Sequence, residues 1–484
     1  MAGTDVLDYR APLQGLATKP YDYAGALTGK GGAPPALVAT LEASVRPDFL
    51  AELSFRRGAM SAWLGTEAAA GASGLGTVPD GVLEGLAALA SGLHGLLATV
   101  AAPTVAPPAG PAGAGHGGGG PGGPPPPPPP AAAAAFTAAA ALTAGSVRSE
   151  WTSALSSKPQ RMLRLDNLSQ ELAMVYTAYA AALRQSAHGR VAEAAATAAA
   201  AAAGAAATAP PAGPDGGGGS PTAAAAAEAA PADGDGAAAA VKAVLTAAVA
   251  ALRRAAGVYG FLADKMLPEL AGIMAGIDRP LELLLPSARA LRALCLAEAQ
   301  ALTAAAAAAR GMSAGTQRAL HGGCVTLLAE AEEAARQLSA AAPSGLPAAD
   351  RLPRLLGTSG ALHRGRCFLL LAQERHRAME LGDAEACLEE CNRLLDAASK
   401  RLDRSDPPSW AAAVAAQRAA VAALLAPVQK DRLGVTYQPL PKEMPDALAS
   451  AAVKVSPDAF EPAPAFPPAP VIDPNNKQGG CCIM

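Results

Sequence analysis

Aromatic residues are scarce in this 484-residue chain: three Trp, seven Tyr and seven Phe, 4% in all. That removes the stacking platforms that single-strand nucleic-acid binders need. A charge excess that could draw in a polyanion is missing too. The 38 basic residues stand against 41 acidic ones, a formal net charge of −3, so no nucleic-acid partner is expected. Cysteines number seven, at 295, 324, 367, 387, 391, 481 and 482, without a paired framework for so long a chain. Reduced thiols in a cytoplasmic setting are the expectation, and the sequon Asn167-Leu-Ser169 then carries no meaning. Long runs of bulky apolar residues are also lacking. The stretches 131–142 and 193–207 are apolar chiefly through Ala and Thr, so no transmembrane helix is expected. Met-Ala-Gly-Thr-Asp-Val at the start lacks the basic and apolar regions of a secretory signal. Alternating Val/Ile/Thr segments are nearly absent, which leaves room for little sheet beyond a short element near Val6–Leu13.

What the chain does have is alanine, the best helix former and a poor source of burial energy. Bulky apolar residues are laid over it at helical spacing. In 161–186 they fall at Met162, Leu165, Leu168, Leu172, Val175, Tyr176, Tyr179 and Leu183, a 3.6-residue stripe. The same period predicts helices over 238–266, 286–309 (opened by Pro286-Ser287), 313–339, 358–381, 384–399 and 409–429. The turn Leu381-Gly-Asp-Ala-Glu385 reads as a helical hairpin, with Gly382 closing one helix and Asp383 capping the next. It looks like the hairpins of tetratricopeptide arrays, although no clean 34-residue repeat is present. Pro439, Pro441 and Pro445 then enforce extended chain.

Two segments break the pattern. Residues 101–145 include Gly117–Gly120 and seven prolines, Pro124–Pro130; residues 204–236 include Gly216–Gly219 and Asp233-Gly-Asp-Gly236. Neither has enough apolar surface to offset chain entropy. Both read as disordered insertions in one domain, 1–455, with flanking poly-Ala extending the neighbouring helices. The proline run could occupy an aromatic groove, with repeat expansion as the plainer account.

Residues 456–484 read as a Pro-rich flexible tail ending in Cys481-Cys482-Ile483-Met484. This is a C-a-a-X box whose Met directs a farnesyl chain to Cys481. The glycine-ended approach, Asn475 to Gly480, suits threading into a prenyltransferase. Prenylation is followed by removal of the last three residues, so Cys482 would be lost and could not carry a second lipid. Lys477 is the only basic residue after Lys454. One chain gives marginal, reversible attachment, so a partner already on the membrane is expected as the second signal.

Catalytic and metal motifs are weak. Cys387 and Cys391 sit at i, i+4, with His376 on the preceding helix. They also belong to an apolar stripe with Leu388, Leu394 and Leu395, where free Cys packs as a small hydrophobe. His363-Arg-Gly-Arg-Cys367 has no acidic partner nearby for a triad. The glycine runs lack the strand before, and the Lys-Ser/Thr after, that a phosphate loop requires. Glu374 faces no second carboxylate. The chain reads as a scaffold, with no enzyme activity, cofactor or metal expected.

Lys430-Asp-Arg-Leu-Gly-Val-Thr-Tyr437-Gln-Pro-Leu-Pro441 resembles a signature of the BRO-domain family of endosomal adaptors. Val241–Leu267 resembles the family's Ala-rich helix ending in Phe-Leu, Cys295-Leu-Ala-Glu-Ala-Gln300 its Leu-Ala-Gln-Ala-Gln helix, and 366–395 its later hairpin. A BRO domain followed by a short tail and a C-a-a-X box is similar to the Brox-type arrangement. The resemblance implies an all-α fold with minor β, a curved helical solenoid with tetratricopeptide-like hairpins. It further implies binding of the C-terminal helix of ESCRT-III subunits on a concave apolar patch, and a peripheral location on endosomal or other endomembranes. Carried over ungapped from Ala297–Gln300, the two apolar contact positions fall on Thr316 and Leu320. Leu320 keeps the pattern; Thr316 departs from it, and His321-Gly322-Gly323 is a poor helix interior. A competing reading is a prenylated helical-repeat co-chaperone, for which Arg364, Arg366, Arg375 and Arg377 are the only candidates for a carboxylate clamp.

Overall fold

The computed structural model describes residues 16–27, 33–45, 47–69, 78–101, 133–208, 234–274 and 278–462. The expected element near Val6–Leu13, the centres of both insertions and the C-a-a-X box lie outside them. The described chain is all-α with one minor sheet. Helices α1 (Tyr23–Leu27), α2 (Pro35–Ser44), α3 (Pro47–Ala69), α4 (Asp80–Ala101) and α5 (Ala133–Leu142) lead to a two-stranded antiparallel sheet. Its strands are β1 (Ser149–Trp151) and β2 (Leu163–Leu165), with Glu150 opposite Arg164. Then follow α6 (Leu168–Thr208), α7 (Gly234–Phe261), a π-turn at 262–266, α8 (Leu267–Leu270), α9 (Leu285–Ala309), α10 (Ala314–Ala341), α11 (Arg351–Arg377), α12 (Leu381–Arg401) and α13 (Pro408–Asp431). From α6 onward the long helices pack serially: α6 on α7, α7 on α9, then α10, α11, α12 and α13 in turn. This is a solenoid.

Helix α6 is the centre of the core. Nearly every side chain from Leu168 to Ala187 is buried, as expected of a helix surrounded on all sides. Its start corrects the helix expected from 161. Asn167 caps α6, its Oδ1 accepting the Gln170 N–H at 2.9 Å, and Leu163 and Leu165 are the two inward positions of β2. The spacing from Met162 to Leu165 continued the helical stripe, but Met162, just before β2, is left 38% exposed.

Two other boundaries differ. Helix α5 lies inside the segment expected to be a disordered insertion, yet Phe136, Ala139 and Ala140 are buried and α5 packs on α4 and α6. A single Phe gives this Ala-rich stretch something to bury. Between α11 and α12 the reversal falls on 378–380, with Met379 in the left-handed region at φ 60°. Gly382 lies within the first turn of α12, and Asp383 is not its cap. The glycine is required for another reason: a Cβ there would run into the Pro439 carbonyl.

The N-terminal helices are tied to α6 by one carboxylate. Glu171 Oε1 accepts from Arg57 and, at 2.9 Å, from the Tyr23 hydroxyl. Glu171 Oε2 accepts from Ser149 and, at 2.7 Å, from the Trp151 indole N–H. Glu171, Arg57, Tyr23 and Trp151 are all completely buried, and the Arg57 guanidinium lies 4.7 Å over the Trp151 ring. Burial alone would raise the Glu171 pKa, but Arg57 and these hydrogen bonds hold it below the ordinary carboxylate range.

By length and composition three helical spans could cross a membrane: Asp80–Ala101, Leu285–Ala309 and Pro408–Thr436. The first two are α4 and α9, and 78% of the α9 window is buried in this fold. In α4 the mean hydropathy comes chiefly from six leucines and two valines, whereas α9 owes much of its own to twelve alanines.

Candidate partner-binding face

The chain after α13 returns across the helical layer. A second π-turn, 432–436, leads to Tyr437, which is exposed and left-handed at φ 52°. Arg432 pairs with Glu385, and the Gln438 amide donates to the Met379 carbonyl at 2.8 Å while its Oε1 accepts from Gly382 N–H at 3.1 Å. The Lys430–Pro441 motif thus fastens the end of α13 to the α11–α12 turn.

From Ala447 the chain runs as a strap over α10, α9 and α7. Its anchor is Gln300 of α9, completely buried. The Gln300 amide donates to the Leu320 carbonyl at 3.1 Å and the Ala452 carbonyl at 2.9 Å, and its Oε1 accepts from Lys454 N–H at 3.0 Å. Both amide protons and one lone pair of Oε1 are used. Ala452 N–H adds a bond to the Ala319 carbonyl at 2.9 Å. Further on, Asp458 N–H donates to the Arg253 carbonyl at 3.1 Å, and the Arg253 guanidinium bonds the Ser456 carbonyl at 2.8 Å and Asp458 Oδ1 at 2.6 Å. Phe460 closes the strap edge-on against Tyr176 and Phe261, 5.5 and 5.6 Å away. Residues 456–460 therefore belong to the packed domain, and the boundary expected at 455 moves outward. The reason is visible locally: Arg253 offers a cation and Phe460 a ring to an otherwise featureless segment.

The strap explains the poor helix interior at Gly322-Gly323. A Cβ on Gly323 would collide with the Ala452 carbonyl, and one on Gly257 of α7 with the Asp458 carbonyl. Glycine costs a helix interior about 1 kcal/mol relative to alanine, and here it lets two backbones touch. Gly323→Leu is expected to eject the strap near Ala452 while sparing the solenoid. Amide hydrogen exchange should then show lost protection at Ala452 and Lys454 with α9 protection unchanged; unaltered protection at those amides would show that the crossing does not depend on the glycine.

Glu298, two residues before Gln300, is a second buried ion-pair site. Arg184 of α6 donates from Nε to its Oε2 at 2.8 Å and from its terminal nitrogen to Oε1, and His188 Nε2 lies 3.2 Å away. Burial would raise the Glu298 pKa, but Arg184 and His188 bring it down to about 2. The Leu-Ala-Glu-Ala-Gln motif thus has a structural reading: one side chain fixes α9 to α6, the other fixes the strap.

Thr316 and Leu320 both sit at the head of α10. Ser313 caps that helix, accepting the Thr316 N–H at 3.2 Å. Thr316 is half-buried, and Leu320 is 7% exposed, packed with Ala304 and Ala307 of α9. The large apolar residues that face outward nearby include Met312 and Val453, 42% and 43% exposed. On the other side of the strap lies a groove of about 920 Å³. Its apolar lining includes Leu296, Val325, Ala329 and Leu448, and its charged rim Arg289, Arg292, Glu330 and Glu333. Sequence reasoning found neither the groove nor Gln300's role; the consecutive glycines inside a helix were the signal that pointed there.

Other candidates are placed apart. Arg364 and Arg377 are exposed, Arg366 and Arg375 half-buried. Arg364 and Arg375 share one face of α11 while Arg366 and Arg377 lie on another. Arg375 is already paired with Glu380. Cys387 and Cys391 are fully buried in the core, and burial pushes both thiols up to about 12. His376 faces Asp431 instead, at 3.7 Å.

Serial helix packing crossed by a returning strap defines a helical-solenoid protein. The particular solenoid is the BRO1-type fold. The chain is similar to the ALIX BRO1 domain in complex with CHMP4C, with a TM-score of 0.56 and 12% identity over 95% of this chain and 97% of that one. It is also similar to ALIX in complex with the SIVmac239 PYKEVTEDL late domain (TM-score 0.56, 14% identity, 95% of this chain, 50% of that one). A structure addressing endosomal targeting by the Bro1 domain matches with TM-score 0.52 and 11% identity, over 92% of this chain and 90% of that one. No family model matches the sequence, and no curated protein does.

Proposed function

We propose that this chain is an endosomal adaptor of the Brox type, which binds the C-terminal helix of an ESCRT-III subunit and is held at the membrane by a farnesyl chain on Cys481. The supporting observation is the likeness, over nearly the whole of both chains, to a BRO1 domain bound to CHMP4C. The α9–α10 face offers what an amphipathic helix needs: an apolar groove with charges of both signs on its rim. Thr316 and Leu320 on one side of the strap, and Ala329 on the other, mark two halves of that face. A single lipid attaches weakly, and a weak helix contact becomes effective once the lipid has raised the local concentration. The two arms are complementary.

Fluorescence anisotropy of labelled ESCRT-III C-terminal peptides against the full chain tests the reading. Thr316→Arg and Ala329→Arg place charge on half-exposed or exposed positions without opening the core. Displacing one well-buried apolar contact, about 1.5–3 kcal/mol, should weaken the peptide by roughly 10- to 150-fold in the variant that lies under it. Absence of binding by the unmodified protein would sink the adaptor reading. Cys481→Ser should leave peptide affinity intact but abolish membrane recruitment. Mass spectrometry should find Cys481 farnesylated and trimmed in cells; an intact, unmodified Cys-Cys-Ile-Met end there would remove the lipid arm.

A further inference from the structure

Where α10 meets α11, on the far side of α10 from the strap, three metal-ligating side chains converge. His321 and Cys324 are three residues apart on α10, which sets them one turn apart on the same face; His363 comes from α11. The two Nδ1 atoms are 3.1 Å apart, and all three ligand atoms lie within 4.8 Å of one another. Donors around one ion, at roughly 2.1 Å for nitrogen and 2.3 Å for sulfur, stand about 3.3–3.8 Å from each other, so small rotamer changes close this set on a single centre. Cys324 is completely buried and each histidine is 3% exposed. A proton shared between two Nδ1 atoms would account for the histidine pair alone. The third soft donor in the same sphere is what points to a cation.

Charge and softness select which cation. The group contains one thiol, two imidazoles and no carboxylate, and Arg366 is close enough to act on His321 electrostatically. With the thiol deprotonated, the donors supply one negative charge. A divalent ion would leave an uncompensated positive charge in the interior beside a guanidinium; a monovalent ion makes the site neutral. Structural zinc takes four ligands, whereas thiolate and imidazole in a three-donor set suit a soft monovalent ion.

We propose that His321, Cys324 and His363 form a three-coordinate copper(I) site that rivets α10 to α11. Binding forms one Cu–S and two Cu–N bonds and releases the Cys324 thiol proton to solvent, with no change of oxidation state. The site is independent of the partner-binding reading. It also stands apart from the Cys387/Cys391/His376 group, where the sequence alone suggested metal ligands.

The test is anaerobic titration of the reduced, full-length protein with copper(I) against a competing chelator, beside parallel titrations of Cys324→Ser and His363→Gln. The wild type should hold one equivalent that both variants weaken by at least about tenfold. X-ray absorption of the loaded wild type should report one sulfur and two nitrogen neighbours, a result that does not depend on either variant folding. Identical titrations of wild type and Cys324→Ser would overturn the site, since copper would then sit elsewhere, such as on the Cys481-Cys482 pair. So would a spectrum with two or more sulfurs, or uptake of Zn²⁺ with refusal of copper(I).

Discussion

Replacing Glu171 with alanine should remove about 3–5 kcal/mol of stability, the range for breaking one side of a buried ion pair. Total stabilities run about 5–15 kcal/mol, so the loss is a large fraction of the whole. The reason is the company Glu171 keeps. Arg57, completely buried, would lose its carboxylate, and the Tyr23 hydroxyl, Ser149 hydroxyl and Trp151 indole would each lose an acceptor. Urea unfolding of the variant should show a lower midpoint. Glu171→Leu combined with Arg57→Met should recover much of the loss, because the penalty is mainly the stranded charge. A Glu171→Ala unfolding free energy within about 0.5 kcal/mol of wild type would mean that the five-residue network carries no net stability.

The second large effect is acid sensitivity through Glu298. Its folded pKa of about 2 lies below the ordinary glutamate value of 4.5, so the proton prefers the unfolded chain. The stabilisation is therefore complete above pH 4.5 and is lost as pH falls from there towards 2. The difference corresponds to about 3 kcal/mol. Glu298→Gln removes this titration, at the cost of leaving Arg184 without its anion. Plotted against pH, the stability gap between wild type and Glu298→Gln should be constant above pH 5 and narrow steadily below 4.5. A gap that stays constant down to pH 2.5 would show that Glu298 is not held ionised by Arg184 and His188. Glu171 is present in both proteins, so its own titration cancels in the comparison.

Much of the solenoid could be read from the chain because local chemistry marked it. Helices α9 and α10 begin within a residue of expectation, since Pro286 and Ser313 are start signals that act where they stand. The misreadings came where a residue serves a distant segment. Gly382 looks like a helix stop, but it is small because Pro439 passes over it. Met162 and Leu165 carry the helical spacing into what is a strand, where the pleat instead turns Leu163 and Leu165 inward, with Leu163 opposite Trp151. The strap carries no period at all. Its prolines announce extended chain, and nothing local says that Gln300 and Arg253 receive it. Thr316 and Leu320 were available only through resemblance to a family, and the groove across the strap left no local mark beyond the consecutive glycines 322 and 323. The His321–Cys324–His363 group joins residues some forty positions apart that only helix packing brings together.

The strap also determines how the molecule would bear load. Beyond Pro462, the chain to Cys481 can reach at most about 65 Å, so a tether there keeps the α6–α7 end of the solenoid nearest its attachment point. Tension applied through that leash meets Phe460 first, then the Asp458–Arg253 contacts, and only afterwards the bonds to Gln300. Contacts arranged in such a sequence peel one at a time, at lower force than the same bonds sheared together. A pull on the C-terminus would thus lengthen the leash by freeing the strap before it disturbed any helix, and would lay bare the backbone at Gly257 and Gly323 as it did so.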